Sequence, residues 1–427
     1  MTVLAPAAWW RGLGGWTRSG SAVEALAWAF YDFANTIFSF AIVSFAMSLW
    51  TIRFLEEQDG TFWFTAALSA SVLVNAAVSP VLGAMSDRLG RRKPFLAAFT
   101  AACILATVVI GFIDIRLGLV AFALANFAYQ AALIYYDAML PGVAHPPARG
   151  RLSGIGVALG YCGTLLVGVL LLLGVSTSPD GESTPSTFVL VGALFALFAA
   201  PLFLVIHERG RDGGRFRLGD AGRSWAQLAE TVRHARQAPG LLRFIVARFF
   251  YSDPINTAIA VMSAFAVYAV GFTEGHALQV LLVLTVVAVV ASFGWGLLAD
   301  RWGPRRTLFA VLATWVVGLV IIALALSPVP FLVAGALLGA GLGGVGVVDR
   351  LMLLRLAPPE RVGEMFGLYG LVGKFSAVVG PVAYGIIVSS LLLHLGTAAY
   401  QVAIASLLVL LLIGIAILRG VPEGASE

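Results

Sequence analysis

The sequence predicts an all-α integral membrane protein whose twelve transmembrane helices form two similar six-helix bundles. Three observations carry that expectation. The first is composition: 60% of the 427 residues are hydrophobic and 11% are charged, whereas soluble domains are roughly half apolar and a quarter charged. The second is a set of uncharged runs at 96–113, 188–206, 308–329 and 397–418, each near the roughly 20 residues of helix that cross a hydrocarbon core of ~30 Å. The third is an internal repeat. Asp32-x-x-Asn35-Thr36 returns as Asp253-x-x-Asn256-Thr257, a shift of 253 − 32 = 221. Gly83-x-x-x-Asp87-Arg88-x-Gly90-Arg91-Arg92 returns as Gly296-x-x-x-Asp300-Arg301-x-Gly303-Pro304-Arg305-Arg306, a shift of 300 − 87 = 213. Asp137 with Pro146-Pro147-Ala148-Arg149 returns as Asp349 with Pro358-Pro359-Glu360-Arg361, a shift of 349 − 137 = 212. Three motifs in one order at nearly one offset mark two parallel halves, since six helices return the chain to its starting side.

The elements follow in order. Residues 1–24, with Arg11 and Arg18, are expected to lie in the cytoplasm. The apolar run 25–52 that follows is far longer than a signal-peptide core and lacks an obvious cleavage site, so it reads as a retained first span, 25–53. Spans two to six are expected at 62–86, 94–114, 117–140, 152–174 and 186–206, which closes an N-terminal bundle over 25–206. Residues 207–240 form a long linker in which Trp225, Leu228, Val232 and Ala235 recur at helical spacing opposite Arg223, Glu230, Arg233 and Arg236. That is the pattern of an amphipathic helix on a membrane surface. Spans seven to twelve, at 241–271, 276–299, 306–327, 329–354, 362–391 and 397–418, make a C-terminal bundle over 241–418, and 419–427 is the C-terminal tail.

Orientation comes from the turns. Arg88, Arg91, Arg92, Lys93, Arg149, Arg151, the basic group between 209 and 243, Arg301, Arg305, Arg306 and Arg361 fall before span one or after even-numbered spans, whereas the opposite turns hold Arg53 and Arg116. The positive-inside rule therefore places both termini in the cytoplasm. It also explains the net charge of +5 without a nucleic-acid partner.

Charged groups in hydrocarbon are costly and normally face a protein interior or a wet cavity. They are Asp32 in span one, Asp137 in span four, Arg248 and Asp253 in span seven, Asp349 and Arg350 in span ten, and Lys374 in span eleven. Away from their ends, spans three, six, nine and twelve carry none, as expected of lipid-facing members of each bundle. The three-fold spacing predicts a central cavity walled by spans one, four, seven and ten. At about 1.5 Å per residue, Lys374 lies near the midplane and Asp32 and Asp253 about a third of the way in. An acid or amine removed from water favours its neutral form, so groups of either kind at this depth suit proton exchange. Asp32, Asn35, Asp253 and Asn256 are thus candidate coupling or cavity residues, and Lys374 a midplane charge for an anionic group or a carboxylate partner.

Each has a plainer reading. Asp32 and Asn35 share a helix face and suit a structural hydrogen bond, Arg248 suits neutralisation of an acid in its own bundle, and Asp137 and Asp349 suit gating or helix positioning. Tyr31, Gln130, Tyr161, Asn75, Asn126, Tyr135 and Tyr369 suit either a cavity lining or buried hydrogen bonding. His145, His207, His234, His276 and His394 fall in loops or at helix ends, which disfavours an intramembrane histidine relay. Cys103 and Cys162 read as packing residues. No metal ligands, cofactor site or catalytic cluster emerges, so an enzyme is disfavoured.

These residues resemble a known group. The Gly83 to Arg92 segment, with its weaker copy from Gly296, is similar to the loop signature of the major facilitator superfamily. That resemblance implies a gate at the cytoplasmic ends of the halves, formed by Asp87, Arg88 and Arg91 with Asp300 and Arg301 in the second copy. More narrowly, the chain resembles the bacterial branch related to the autophagy-associated vacuolar effluxers. The matching segments are Trp28-Ala29-Phe30-Tyr31-Asp32-Phe33-Ala34-Asn35, Tyr135-Tyr136-Asp137-Ala138-Met139-Leu140-Pro141, Leu152-Ser153-Gly154 with Gly160-Tyr161, and Ala247-Arg248-Phe249-Phe250-Tyr251 with Asp253 and Asn256. The resemblance implies efflux of small solutes, with amino acids the substrate class of the eukaryotic members; a proton-coupled or uniporting secondary exporter, monomeric and in a bacterial inner membrane, is the further expectation. Asp137 stands where that pattern has asparagine, and Pro254 where it has glycine. The alternatives are a drug or lipid exporter of the same fold and a non-transporting receptor or scaffold.

Overall fold

The computed structural model describes residues 21–89, 91–145, 149–179, 181–208, 219–324, 326–358 and 361–423, and within them every side chain but those of 84, 86–89, 141, 149–151, 219–224, 227 and 362–364. Among the described residues eleven helices are long and apolar enough to cross a membrane, and a further helix, Leu241–Ala264, which carries Arg243, Arg248 and Asp253, completes the twelve-span fold. α1 (Ala22–Leu55) opens with the Ser21 hydroxyl accepting the Glu24 N–H at 3.4 Å and holds a π-helical stretch, Ser39–Ala46. α2 (Glu57–Leu89), α3 (Lys93–Ile110), α4 (Ile115–Val143), α5 (Arg149–Leu172) and α6 (Pro185–Val205) follow. α6 begins with a Thr184/Thr187 capping box and proline in its first turn, which satisfies backbone donors that a helix start otherwise leaves open.

The linker helix α7 (Gly219–Gln237) is polar on one side and apolar on the other, with Ala235 buried and Trp225 exposed. α8 (Leu241–Ala264) continues as a π-helical turn, Phe265–Ala269, and is followed by α9 (Glu274–Trp302), α10 (Pro304–Leu324) and α11 (Pro328–Leu356). The eleventh span is broken into α12 (Val362–Ser376) and α13 (Val379–Leu395), and α14 (Ala398–Leu418) completes the set. Large apolar side chains left open, such as Leu105, Leu197, Leu204, Phe293, Leu324 and Leu393, mark the outer faces as surfaces for lipid rather than water.

Compact packing divides the chain into two units. The first comprises 1–43, 78–179 and 183–221; the second comprises 44–77, 180–182 and 222–427. In the first unit α1 packs on α5 and α6, and α3 packs on α4 and α6. In the second α8 packs on α12, α13 and α14, and α10 packs on α11 and α14. The pairing pattern repeats, as the sequence repeat predicts. The end of α1 and most of α2 join the second unit because they pack on its helices: Ser48 and Ser263 share a hydrogen bond of 3.0 Å, and the Tyr400 hydroxyl donates to Glu57 at 2.6 Å. The C-terminal tail folds back on the same unit. Arg305 and Arg306 pair with Glu423, and Pro422 lies against Gly240, whose φ of +77° and lack of a Cβ allow the approach.

Candidate functional site

In the first unit the ionisable centre is Asp32, half-buried on α1. The Tyr136 hydroxyl of α4 donates to its Oδ2 at 2.9 Å. Tyr136 is itself held from two sides, with its ring 4.5 Å from Trp28 and 4.9 Å from Tyr31, while the Trp28 indole N–H donates to its carbonyl at 3.4 Å. On the α5 side Gly156 lies directly over the carboxylate, where a Cβ would overlap Asp32 Oδ2, and Thr36 donates to the Gly160 carbonyl. Glycine is therefore required for α5 to approach the acid.

Two expectations change here. Asn35 is buried and neither of its amide atoms has a hydrogen-bond partner, so the Asp32–Asn35 pair does not form. Tyr31 is wholly buried with its hydroxyl on Thr100, so it packs α1 against α3 instead of lining open space. Gln130 and Tyr161 are half-buried on α4 and α5, and Asp137 is exposed near the end of α4. Arg91 is exposed, whereas the side chains of Asp87 and Arg88 lie outside the described residues.

The second unit holds Asp253 at the matching position of α8, and its setting differs. The side chain is 2% exposed. Its Oδ1 accepts the Gly380 N–H at 2.9 Å, while Oδ2 is buried with no hydrogen-bond partner. Gly380 lies in the first turn of α13, just after the break at Ala377 and Val378. The break leaves backbone donors of a mid-membrane helix start without intrahelical partners, and an acid from a neighbouring helix takes one of them. Pro381, lacking an N–H, helps end the α12 ladder. As with Gly156, a Cβ on Gly380 would overlap Asp253 Oδ2 and Thr257 Oγ1. The repeat thus conserves an acid packed on a glycine backbone. Asn256 is half-buried one turn along α8.

Lys374 occupies the last turn of α12 and donates to Asn75 Oδ1 of α2 at 3.1 Å. A cation there complements the negative end of that half-helix. Arg248 does not compensate Asp253. Its Nε donates to Asp349 Oδ2 at 3.1 Å, its Nη1 donates to the Tyr369 carbonyl at 3.0 Å, and its guanidinium lies 3.6 Å from the Tyr369 ring centre. Tyr251 donates to Asp349 Oδ1 at 2.7 Å, and the Asp349 side chain is 0% exposed. Asp349 is therefore a buried structural partner tying α8, α11 and α12, not an open gate residue. The knot has no counterpart in the first half, where the repeat offset places alanine (248 − 221 = 27, Ala27). Asp300 and Arg301 are exposed at the end of α9.

Sequence reasoning missed a further cluster in the second unit, at the end opposite the chain terminus. Arg53 pairs with Glu274, which is 8% exposed, and with Glu182 at 3.5 Å. The signal was present: Arg53 is one of two basic residues in turns that the charge rule leaves nearly free of them. Among the described residues no group of three or more His, Cys, Asp and Glu could hold a metal ion.

The family described as "Vacuole effluxer Atg22 like" matches residues 51–426. The chain belongs to that family. It is 27% identical to the MFS-type transporter YxiO of Bacillus subtilis (strain 168) over 93% of this chain and 95% of that protein. Autophagy-related protein 22 of Kluyveromyces lactis is 24% identical over 55% of this chain, and the match spans 52% of its length, so the chain covers only about half of such fungal relatives. Among solved structures a D-xylose-proton symporter superposes with a TM-score of 0.70 at 14% identity, covering 94% of this chain and 97% of that one. The fold is that of the major facilitator superfamily, and the protein is an integral membrane transporter.

In this Atg22-like chain the first three motifs form one packed assembly within the first unit. Trp28 and Asp32 of the first motif meet Tyr136 of the second, and Thr36, just beyond the first, meets Gly160 of the third. The fourth motif supplies Arg248, Tyr251 and Asp253 of α8 in the second unit. Within each unit the motif residues make close helix contact around a carboxylate.

Proposed function

We propose that this Atg22-like protein exports a small solute, amino-acid-like or otherwise amphipathic, by alternating access coupled to protons. The observation that carries the reading is Asp253. It is a buried carboxyl with one oxygen on the N–H of a broken helix and the other with no hydrogen-bond partner. Intramembrane acids of this kind serve proton relays in carriers, and broken spans near the midplane are where such carriers place their sites. Asp253 is read as the proton carrier, and Asp32, with Tyr136, as the cavity acid that meets the solute. Lys374 supplies the midplane positive charge, and Asn35, Asn256, Gln130 and Tyr161 contribute polar surface. Asp87, Arg88, Arg91, Asp300 and Arg301 act as gate residues, and Asp137 positions the end of α4. Bundles 25–206 and 241–418 are the moving parts, joined by 207–240. The basic turns support cytoplasmic termini in a bacterial inner membrane.

The test starts with a thermal-shift screen of purified protein against amino acids, peptides, drugs and lipids, since a ligand of the folded state raises apparent stability. The stabilising solute is then added to proteoliposomes containing a pH-sensitive dye. Wild-type protein is expected to move protons with the solute, and Asp253→Asn to lose that signal while retaining solute exchange. An unchanged proton signal in Asp253→Asn removes this mechanism.

A further inference from the structure

At the end of the second unit that carries the C-terminus, a cavity of about 1030 Å³ opens between the last turn of α7 and the ends of α9 and α11. Its polar lining includes Arg355, Arg361, His234 and Asp300. Arg355 and Arg361 make no side-chain hydrogen bond or ion pair among the described residues, and neither does Asp300. Two permanent cations and one acid therefore face the same space unneutralised by each other, and the balance stays positive before His234 takes a proton. Such a site favours an anion.

The apolar side of the cavity indicates what the anion is attached to. Leu351 and Leu354 line it, and Leu354 is 49% exposed. Along α9, Phe293, Leu297 and Asp300 are spaced four and three residues apart and so share one face; Phe293 is 73% and Leu297 66% exposed. This stripe runs from the cavity mouth into the span. Trp302, 54% exposed, stands where an interfacial aromatic belongs. An anionic head at the arginines with an apolar chain along α9 fits both halves of this surface.

We propose that the cavity binds a phosphate-bearing anion, Arg355 and Arg361 holding the phosphate, and that its source is the headgroup of an anionic membrane lipid whose chain lies on the Phe293 and Leu297 stripe. Occupancy ties the linker helix α7 to α9 and α11. Basic pockets of this kind on the membrane surface recognise lipid phosphates.

Full-length protein in detergent is titrated with phosphatidylglycerol, with phosphatidylcholine and with inorganic phosphate, and binding is followed by native mass spectrometry and thermal shift. Phosphatidylglycerol is expected to bind and stabilise, and the double variant R355Q/R361Q to weaken it by about thirtyfold, near the worth of two surface arginines. R236Q, on the exposed side of α7, serves as the control and is expected to bind as wild type. Equal protection by inorganic phosphate, lost in the double variant, assigns the same site to a free anion. The proposal is overturned if phosphatidylcholine binds as well as phosphatidylglycerol, or if R236Q loses as much as the double variant. It is also overturned if neither anion binds. A folded double variant is verified by its unliganded melting temperature, so loss of binding is separable from loss of fold.

Discussion

At the residue scale, the two halves use one geometry for two chemistries. Asp32 and Asp253 both lie under a glycine of a neighbouring helix, yet one accepts a tyrosine hydroxyl and the other a backbone N–H. Gly380→Ala is expected to abolish transport without preventing membrane insertion, because the new methyl displaces the Asp253 carboxyl; transport and expression assays on the same vesicles check this. The Arg248–Asp349 pair belongs to stability instead. Breaking a buried ion pair from one side leaves an uncompensated charge and costs about 3–5 kcal/mol, while an apolar pair of similar volume is often tolerated. Arg248→Met alone should therefore lower the melting temperature in detergent strongly, and the double change with Asp349→Leu should restore most of it. A double variant as unstable as the single one would show that the Tyr369 stack, not the charge pair, holds these helices.

At the scale of elements, the break between α12 and α13 is the feature with mechanical consequence. A continuous span would carry its hydrogen bonds through Ala377 and Val378; instead the chain opens a helix end beside Asp253. Pro381→Ala restores a backbone donor and is expected to favour a continuous helix. Hydrogen exchange at residues 377–380 should then slow, and proton-coupled transport should fall with it. Slower exchange with unchanged transport would detach the break from the mechanism. The residues near the break, Gly380-Pro381, made it legible in principle. What hid it was the apolar pattern on both sides of the break, from Phe375 to Val388, which reads as part of one long span because hydropathy does not report backbone hydrogen bonds.

For the molecule as a whole, the second unit takes in the far end of α1 and most of α2 through Ser48–Ser263, Glu57–Tyr400 and the ion pairs of Arg53. Alternating access requires that these contacts part. Cysteines at positions 48 and 263, in a background with Cys162→Ala, are expected to form a disulfide that arrests transport, with recovery on adding a reductant. Transport by the oxidised protein at the wild-type rate would show that these contacts stay closed throughout the cycle.

Composition alone determined that this chain lives in a bilayer, since too few polar residues exist to cover a soluble surface. The repeat determined that it is built twice, because matched motifs at one offset impose matched helices. The same reading located Asp32, Asp253, Asp349 and Lys374, which hydrocarbon makes conspicuous by their cost, and missed Glu274. Tertiary structure decided their partners. Arg248 chose Asp349 over Asp253, Asn35 left Asp32, and Tyr31 turned inward, because which charges meet depends on the rotation and approach of helices far apart in sequence. Helix rotation follows from close packing at glycines such as Gly156 and Gly380, and a linear pattern of apolar residues contains no record of which neighbour each one touches.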